Sequence, residues 1–192
     1  MFVQGFPKEL KKEALLVSNK MLENTWHRSG LIISTDTSIW QITKEESVCF
    51  PYRIYLSDSI DDLNVSFSPV QKLIYHCIFT RSNNGYIREK HTEALLKCET
   101  PYWAVPYILK VCDEYVVEIL ELVYSQLSKN DTSMYKNFCK LNLRKFLHSH
   151  NRMISYWNEF YRYKYPKYND YIGKALFEKC FGYSRCMEKC IR

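Results

Sequence analysis

Glycine is scarce in this chain of 192 residues, which has only five, at positions 5, 30, 85, 173 and 182. Phosphate-binding loops and dinucleotide-binding fingerprints need closely spaced glycines, because these let the backbone approach a phosphate group. Neither motif can be assembled from glycines placed so far apart. The G-x-S-x-G, H-E-x-x-H and protein-kinase signatures are also missing from the sequence. These absences exclude several common routes to nucleotide binding and hydrolysis.

Long apolar runs are absent too, since none approaches the roughly 20 residues that a membrane-spanning helix needs. The first 16 residues contain an early acidic residue and no apolar segment of the secretory type. The content of 46% hydrophobic and 25% charged residues argues against a disordered chain. We therefore expect a cytoplasmic protein that folds as a single domain over residues 1–192 and has no membrane partner.

The eight cysteines lack the C-x2–4-C pairs that usually bind zinc. Because the chain is long and carries no export signal, we expect free thiols, no metal site and no cofactor. Cys77, Cys98 and Cys112 fall on apolar helix faces, which predicts that they are buried. An alternative is a metal site that joins Cys180, Cys186 and Cys190 to His148 or His150.

Residues 105–127 form the longest apolar-periodic segment, with hydrophobic side chains at three- and four-residue spacings. This spacing places them on one face and predicts a single buried helix over Val105–Leu127. Similar patterns predict helices near 7–24, 69–81, 87–98 and 171–179. Two successive helices are predicted between residues 134 and 161, a first through Met134 and Phe138 and a longer second one from about Leu143, whose apolar face ends at Phe160 or Tyr161. The expected fold class is mainly all-α, a helical bundle of about six helices. A small extended or β-hairpin appendage is predicted near residues 31–56, where apolar residues alternate.

Charge is distributed unevenly along the chain, although its formal net charge is only +6. Residues 132–192 contain 13 Lys and Arg against four Asp and Glu, whereas residues 1–131 have an acidic excess. Glu114, Glu118 and Glu121 are spaced to form one acidic row on the predicted central helix. Such a row is solvated, or it faces cations of the same chain, or it binds a basic partner.

Aromatic and cationic residues alternate between Tyr156 and Tyr168. This pattern suits a protein interface, where aromatic side chains provide much of the affinity, and it also suits stacking on single-stranded RNA. We prefer a protein-binding module, of which an immunity- or antitoxin-type inhibitor is one concrete form. The candidate binding residues are the acidic row and five residues of this segment: Tyr161, Arg162, Tyr163, Lys164 and Lys167.

The segment Arg144-Lys-Phe-Leu-His-Ser-His150 lies on a predicted helix and resembles the R-x4–6-H motif of the all-helical HEPN ribonucleases. The resemblance implies that His150 moves a proton of a ribose hydroxyl while Arg144 neutralises the charge that develops on the phosphate. Lys145 departs from the polar or acidic residue usual at its place in that family. An RNA-binding or RNA-cleaving protein is therefore the alternative function, and ordinary helix histidines are the structural alternative.

Overall fold

A computed structural model describes residues 2–25, 32–55 and 67–190 of the chain. Within these ranges it contains nine α-helices and two small antiparallel sheets, so the predicted mainly all-α fold class is confirmed. The chain divides into two compact units, Met1–Tyr107 and Ile108–Arg192. A single domain over residues 1–192 stays a prediction. None of the described helices combines the length and the apolar character needed to cross a bilayer.

In the first unit one helix precedes a short β segment along the chain and three helices follow it. Their bounds are Lys11–Thr25 for α1, Pro69–Phe79 for α2, Gly85–Lys97 for α3 and Val105–Val111 for α4, which contains the boundary between the units. Short 3-10 turns cover Phe2–Gly5, Lys8–Leu10 and Tyr102–Ala104. The predicted start of α2 is confirmed, because Ser68 and Gln71 form a reciprocal capping box.

The β segment of the first unit consists of two separate two-stranded sheets. Strand β1 (Ile32–Ile33) pairs with β4 (Ile54–Tyr55), and β2 (Thr37–Gln41) pairs with β3 (Ser47–Pro51), both antiparallel. In β2 every second residue is buried, which gives the period of two expected of a half-buried strand. The predicted appendage is thus confirmed over residues 32–55, while residues 31 and 56 lie outside the described ranges.

Three buried rings pack together in the first unit, and we call Phe6, Phe50 and Tyr107 the Tyr107 cluster. The Tyr107 ring centroid lies 4.2 Å from that of Phe50 and 5.6 Å from that of Phe6. The Tyr107 hydroxyl donates a hydrogen bond of 2.8 Å to the carbonyl oxygen of Gly5. A side chain at position 5 would collide with this hydroxyl, so glycine permits the close approach.

The second unit consists of helices and short helical turns. Its helices are α5 (Val117–Leu127), α6 (Ser133–Leu141), α7 (Leu143–Tyr156), α8 (Ile172–Ala175) and α9 (Cys186–Lys189). A π-turn at Trp157–Tyr161 continues α7, a 3-10 turn covers Tyr168–Asp170, and a second π-turn at Leu176–Cys180 continues α8. Gly182 follows with a φ of 76°, the left-handed conformation with which glycine commonly ends a helix.

The prediction of one continuous helix over Val105–Leu127 is wrong. Helix α4 ends at Val111, α5 begins at Val117, and Val116 is extended with a φ of −90° and a ψ of 100°. The break turns the side chains of Asp113 and Glu114 inward, where both are buried. Residues on either side of the break keep an apolar helical spacing, so the periodicity alone cannot reveal it.

The prediction that Cys77, Cys98 and Cys112 are all buried is also partly wrong. Cys77 and Cys112 are buried, as predicted, whereas Cys98 is exposed because it follows the last residue of α3. Burial raises the pKa of the Cys77 and Cys112 thiols well above its ordinary value, which keeps them protonated.

Candidate recognition surface

Three aromatic rings form a cluster at the surface of the second unit. We call Tyr115, Tyr156 and Phe160 the aromatic patch. Their ring centroids lie 6.0 to 6.2 Å from one another. Tyr115 is 44% exposed and Phe160 is 51% exposed, and Phe160 lies in the π-turn that continues α7. Single π-turns of this kind occur often at functional sites. The patch therefore offers apolar surface to solvent at a point of irregular backbone.

Arg152 anchors the patch from one side. Its guanidinium lies 5.6 Å from the centre of the Tyr156 ring, and its Nη2 donates a hydrogen bond of 3.1 Å to the Tyr156 hydroxyl. On its other side, Arg152 Nε lies 3.7 Å from Asp113 Oδ1. The four-residue spacing of Arg152 and Tyr156 on α7 places the two side chains on one helix face. Tyr156 is thereby connected to a buried carboxylate.

That carboxylate belongs to a buried polar network in the turn between α4 and α5. Lys110 Nζ donates to Asp113 Oδ1, and Ser149 Oγ donates to Asp113 Oδ2 at 2.9 Å. The Lys110 ammonium also lies 3.9 Å from Glu114 Oε1. Buried charges need such partners, since the desolvation of an isolated ion costs several kcal/mol. The network fixes the turn against α7, which carries Ser149 and Arg152.

Tyr161 anchors the patch from the other side. Its hydroxyl donates to the carbonyl oxygen of Tyr115 and accepts a hydrogen bond of 3.3 Å from the amide of Val117. The first amides of a helix lack intrahelical partners, and the Tyr161 hydroxyl satisfies one of them at the start of α5. The pKa of Tyr161 is raised mainly because burial desolvates its hydroxyl, so the hydroxyl keeps its proton. Tyr161 is thus an anchor rather than an exposed contact residue.

The remaining predicted binding residues of this segment are exposed. Tyr163 is 87% exposed, and Arg162, Lys164 and Lys167 are exposed as well. Arg162 Nη1 donates a hydrogen bond of 3.1 Å to the side-chain oxygen of Asn158, one helical turn earlier. The segment after the patch therefore presents three cations and one tyrosine ring to solvent.

The predicted acidic row is only partly formed. Glu114 is fully buried and lies in the turn before α5, so it is not part of a row on that helix, and the cation it faces is Lys110 of the same chain. Glu118 and Glu121 are exposed on α5, as expected for a row on the helix surface. The Tyr165 side chain, and more weakly the Glu121 carboxylate, raise the pKa of Lys164. Glu121 consequently lies close enough to the basic segment to influence Lys164.

The two residues of the HEPN-like motif lie on different faces of α7. Arg144 is exposed, whereas His150 is only 2% exposed. The His150 ring stacks on Tyr183 at 3.6 Å between centroids. Desolvation by burial lowers the pKa of His150 to about 4, so the imidazole is neutral at pH 7. Six residues along a helix correspond to roughly 120° of rotation between the two side chains. The ribonuclease role of this pair stays a prediction.

Sequence reasoning missed Tyr115, Tyr156 and Phe160 as a surface feature. The spacing of Arg152, Tyr156 and Phe160 by four residues was available as a signal, because it indicates one stripe on a helix. The same spacing is typical of a buried face, so it does not by itself distinguish an exposed stripe from core packing. Phe160 is exposed because it lies in the π-turn, which shifts the register of the side chains after Tyr156.

Neither the arrangement of possible metal ligands nor a comparison with known proteins assigns a function to this surface. Within residues 2–25, 32–55 and 67–190, no group of three His, Cys, Asp or Glu side chains is arranged to hold a metal ion. No protein-family model, curated protein or solved structure matches this chain.

Proposed function

We propose that the chain is a cytoplasmic protein-binding module that uses the aromatic patch to bind a partner with an acidic surface. The observation that supports this most directly is that Tyr115 and Phe160 are both exposed and that their rings lie 6.2 Å apart, so they form one apolar patch. Exposed apolar clusters rimmed by polar residues are typical of protein interaction sites. An immunity- or antitoxin-type inhibitor of one enzyme is a concrete form of this function.

The anchors favour tight binding because they fix the Tyr156 ring and the backbone of Tyr115 before the partner arrives. Arg152 contacts the Tyr156 ring and hydroxyl, and Tyr161 bonds to the backbone on both sides of Val116. Immobilising a flexible side chain on binding costs about 0.5–1.5 kcal/mol, and a preorganised ring avoids much of that cost. Aromatic residues and arginine are also the types most often found at the energetic centre of an interface.

The surrounding charge favours an acidic partner. The exposed cations Arg162, Lys164 and Lys167 follow the patch, within a C-terminal third that has a large basic excess. Complementary charge accelerates encounter and rejects partners of the wrong sign. Glu118 and Glu121 lie close enough to influence this segment, and they restrict the orientations in which an acidic surface can bind.

A comparison of matched variants tests the proposal. The wild-type chain, Phe160→Ser and Tyr86→Ala are each used to recover partners from the native host. Tyr86 is the control because it is 84% exposed on α3, outside the patch. We expect one stoichiometric partner with the wild type and with Tyr86→Ala. Loss of a hot-spot ring typically costs 2 kcal/mol or more, so Phe160→Ser should weaken the purified complex by roughly thirtyfold.

Two results would contradict this function. One is equal recovery of the partner by all three chains when circular dichroism shows that each is folded. The other is recovery of RNA in place of protein, lost after ribonuclease treatment and weakened steeply between 50 and 200 mM salt, which are ordinary test concentrations for phosphate contacts. That second result would support the RNA-binding alternative.

A further inference from the structure

Strand β2 lies at one edge of the β segment in the first unit. It pairs with β3 on one side, and no other strand in the described part of the chain pairs with it. The opposite edge of the segment is covered, because β3 contacts the 3-10 turn at Phe2–Gly5 and Ile54 of β4 forms a parallel β-bridge with Ser82. An open strand edge presents backbone amides and carbonyls that can pair with a strand of another chain.

The backbone of β2 directs hydrogen-bonding groups to this edge at every second residue. Just beyond its two ends, the Tyr52 amide donates to the Asp36 carbonyl and the Ile42 amide donates to the Glu46 carbonyl, each at 2.8 Å. Residues of an antiparallel pair alternate between bonding to the partner strand and pointing away from it. The register between β2 and β3 runs without a bulge, so the even-numbered residues bond to β3. The odd-numbered residues of β2 therefore direct their amides and carbonyls outward.

The side chains of β2 separate into a buried face and an exposed face. Ser38 and Trp40 are buried, and the Trp40 indole donates a hydrogen bond of 2.9 Å to Ser38 Oγ, which fixes the strand on the core. Thr37, Ile39 and Gln41 are exposed, and Ile39 at the centre of the strand is 55% exposed. Charged residues and proline commonly protect an open edge from pairing, and β2 contains neither.

We propose that β2 pairs with β2 of a second copy of this chain, antiparallel and in a two-fold register centred on Ile39. This register places Ile39 opposite Ile39 of the second copy, and Thr37 opposite Gln41. The outward backbone groups lie at the same three positions on both copies, so one strand supplies both halves of an isologous contact. The two isoleucine side chains meet at the axis, where a cross-strand apolar pair is favourable, and no like charges oppose each other along β2.

The paired strands form a small interface, so the dimer is weak. Three residue pairs provide about six backbone hydrogen bonds, two for each pair. Stable specific interfaces bury about 1,200–2,000 Å² in total, and smaller ones are typical of transient complexes. We therefore expect a dissociation constant of about 0.01–1 mM.

Sedimentation equilibrium of the full chain, at concentrations from about 0.01 to 1 mM, tests this pairing. The apparent mass should rise with concentration from the monomer mass of 23.1 kDa toward twice that value. Ile39→Lys should weaken the dimer by at least roughly tenfold, because like charges then oppose each other at the axis. Leu15→Lys is the matched control, since Leu15 is 51% exposed on α1, and it should leave the dissociation constant unchanged.

A mixture of two charge variants tests the register. Ile39→Lys and Ile39→Glu should each be monomeric alone and should associate when mixed, because opposite charges then meet at the axis. The proposal is overturned by a wild-type chain that stays monomeric at about 1 mM, by equal association of Ile39→Lys and Leu15→Lys, or by a mixture that does not associate. A dimer that Phe160→Ser abolishes and Ile39→Lys retains would also overturn it, since the contact would then lie at the aromatic patch.

Discussion

The Tyr107 cluster and the aromatic patch contain the same kind of chemistry in opposite surroundings. Each joins three aromatic rings at contact distance, and a tyrosine hydroxyl bonds a backbone carbonyl at each, that of Tyr107 within the cluster and that of Tyr161 beside the patch. The rings of the first are buried, whereas Tyr115 and Phe160 of the second are about half exposed. Burial of an apolar side chain contributes about 1.5–3 kcal/mol to folding. The Tyr107 cluster therefore stabilises its unit, while the patch keeps apolar surface available for a partner.

The largest expected effect would separate the two clusters directly. Tyr107→Ala removes a fully buried ring and its hydrogen bond to Gly5, and we expect the free energy of unfolding to fall by about 3–5 kcal/mol. Tyr115→Ala makes the same chemical change at a half-exposed position and should cost less than about 1 kcal/mol. Urea denaturation of both variants measures the difference. Equal losses of unfolding free energy in the two variants would contradict the claim that only the Tyr107 cluster stabilises the fold.

A similar loss is expected from the buried network beneath the patch. Asp113→Ala removes the carboxylate that accepts from Lys110 and Ser149, and breaking a buried ion pair costs about 3–5 kcal/mol. It also releases Arg152 and hence the Tyr156 ring. The control is Asp170→Ala, at an exposed position, which should stay within about 0.5 kcal/mol of the wild type. An unfolding free energy unchanged by Asp113→Ala would show that the network does not stabilise the turn.

The buried imidazole of His150 should make the unfolding free energy depend on pH. Its pKa is about 4 in the folded chain and about 6.5 in an unfolded chain, so below pH 6.5 the unfolded state binds the proton first. The contribution to stability is complete above pH 6.5 and is lost as the pH falls toward 4, by roughly 3 kcal/mol. His150→Phe keeps a ring against Tyr183 and should remove this part of the pH dependence.

Urea denaturation at pH 7.5, 5.5 and 4.5, chosen to bracket the ordinary histidine pKa, measures the effect for both chains. Carboxylates titrate in the wild type and in His150→Phe alike, so the difference between the two curves isolates the histidine. Parallel curves would mean that the folded chain accepts the proton at no cost.

The smallest effect concerns the hydroxyl that holds the patch. Tyr161→Phe keeps the ring and removes the bonds to Tyr115 and Val117, and we expect a loss of about 1 kcal/mol in unfolding free energy. Partner affinity should fall with it, because the backbone beneath Tyr115 is no longer fixed. Tyr163→Phe, at an exposed hydroxyl, serves as the control for stability. A stable Tyr161→Phe chain with unchanged affinity would remove preorganisation from the explanation.

Local sequence rules predicted much of the fold and little of the surface. The capping box at Ser68, the left-handed Gly182 and the strands near residues 32–55 each follow from chemistry within a few residues. The break after Val111 does not, because it depends on Ser149 and Tyr161, which are distant in sequence. The exposure of Phe160 does not follow either, since Phe160 lies in a π-turn and the four-residue spacing in the sequence is the same as that of a regular helix.

Hydroxyl-radical footprinting of the purified complex is the most direct measurement of the proposed surface. The reagent oxidises exposed aromatic side chains, so the free chain should react at Tyr115, Phe160 and Tyr86. On binding the partner, we expect Tyr115 and Phe160 to become protected while Tyr86 stays as reactive as before. Unchanged reactivity of Phe160 in a stoichiometric complex would contradict the assignment of the aromatic patch as the binding surface.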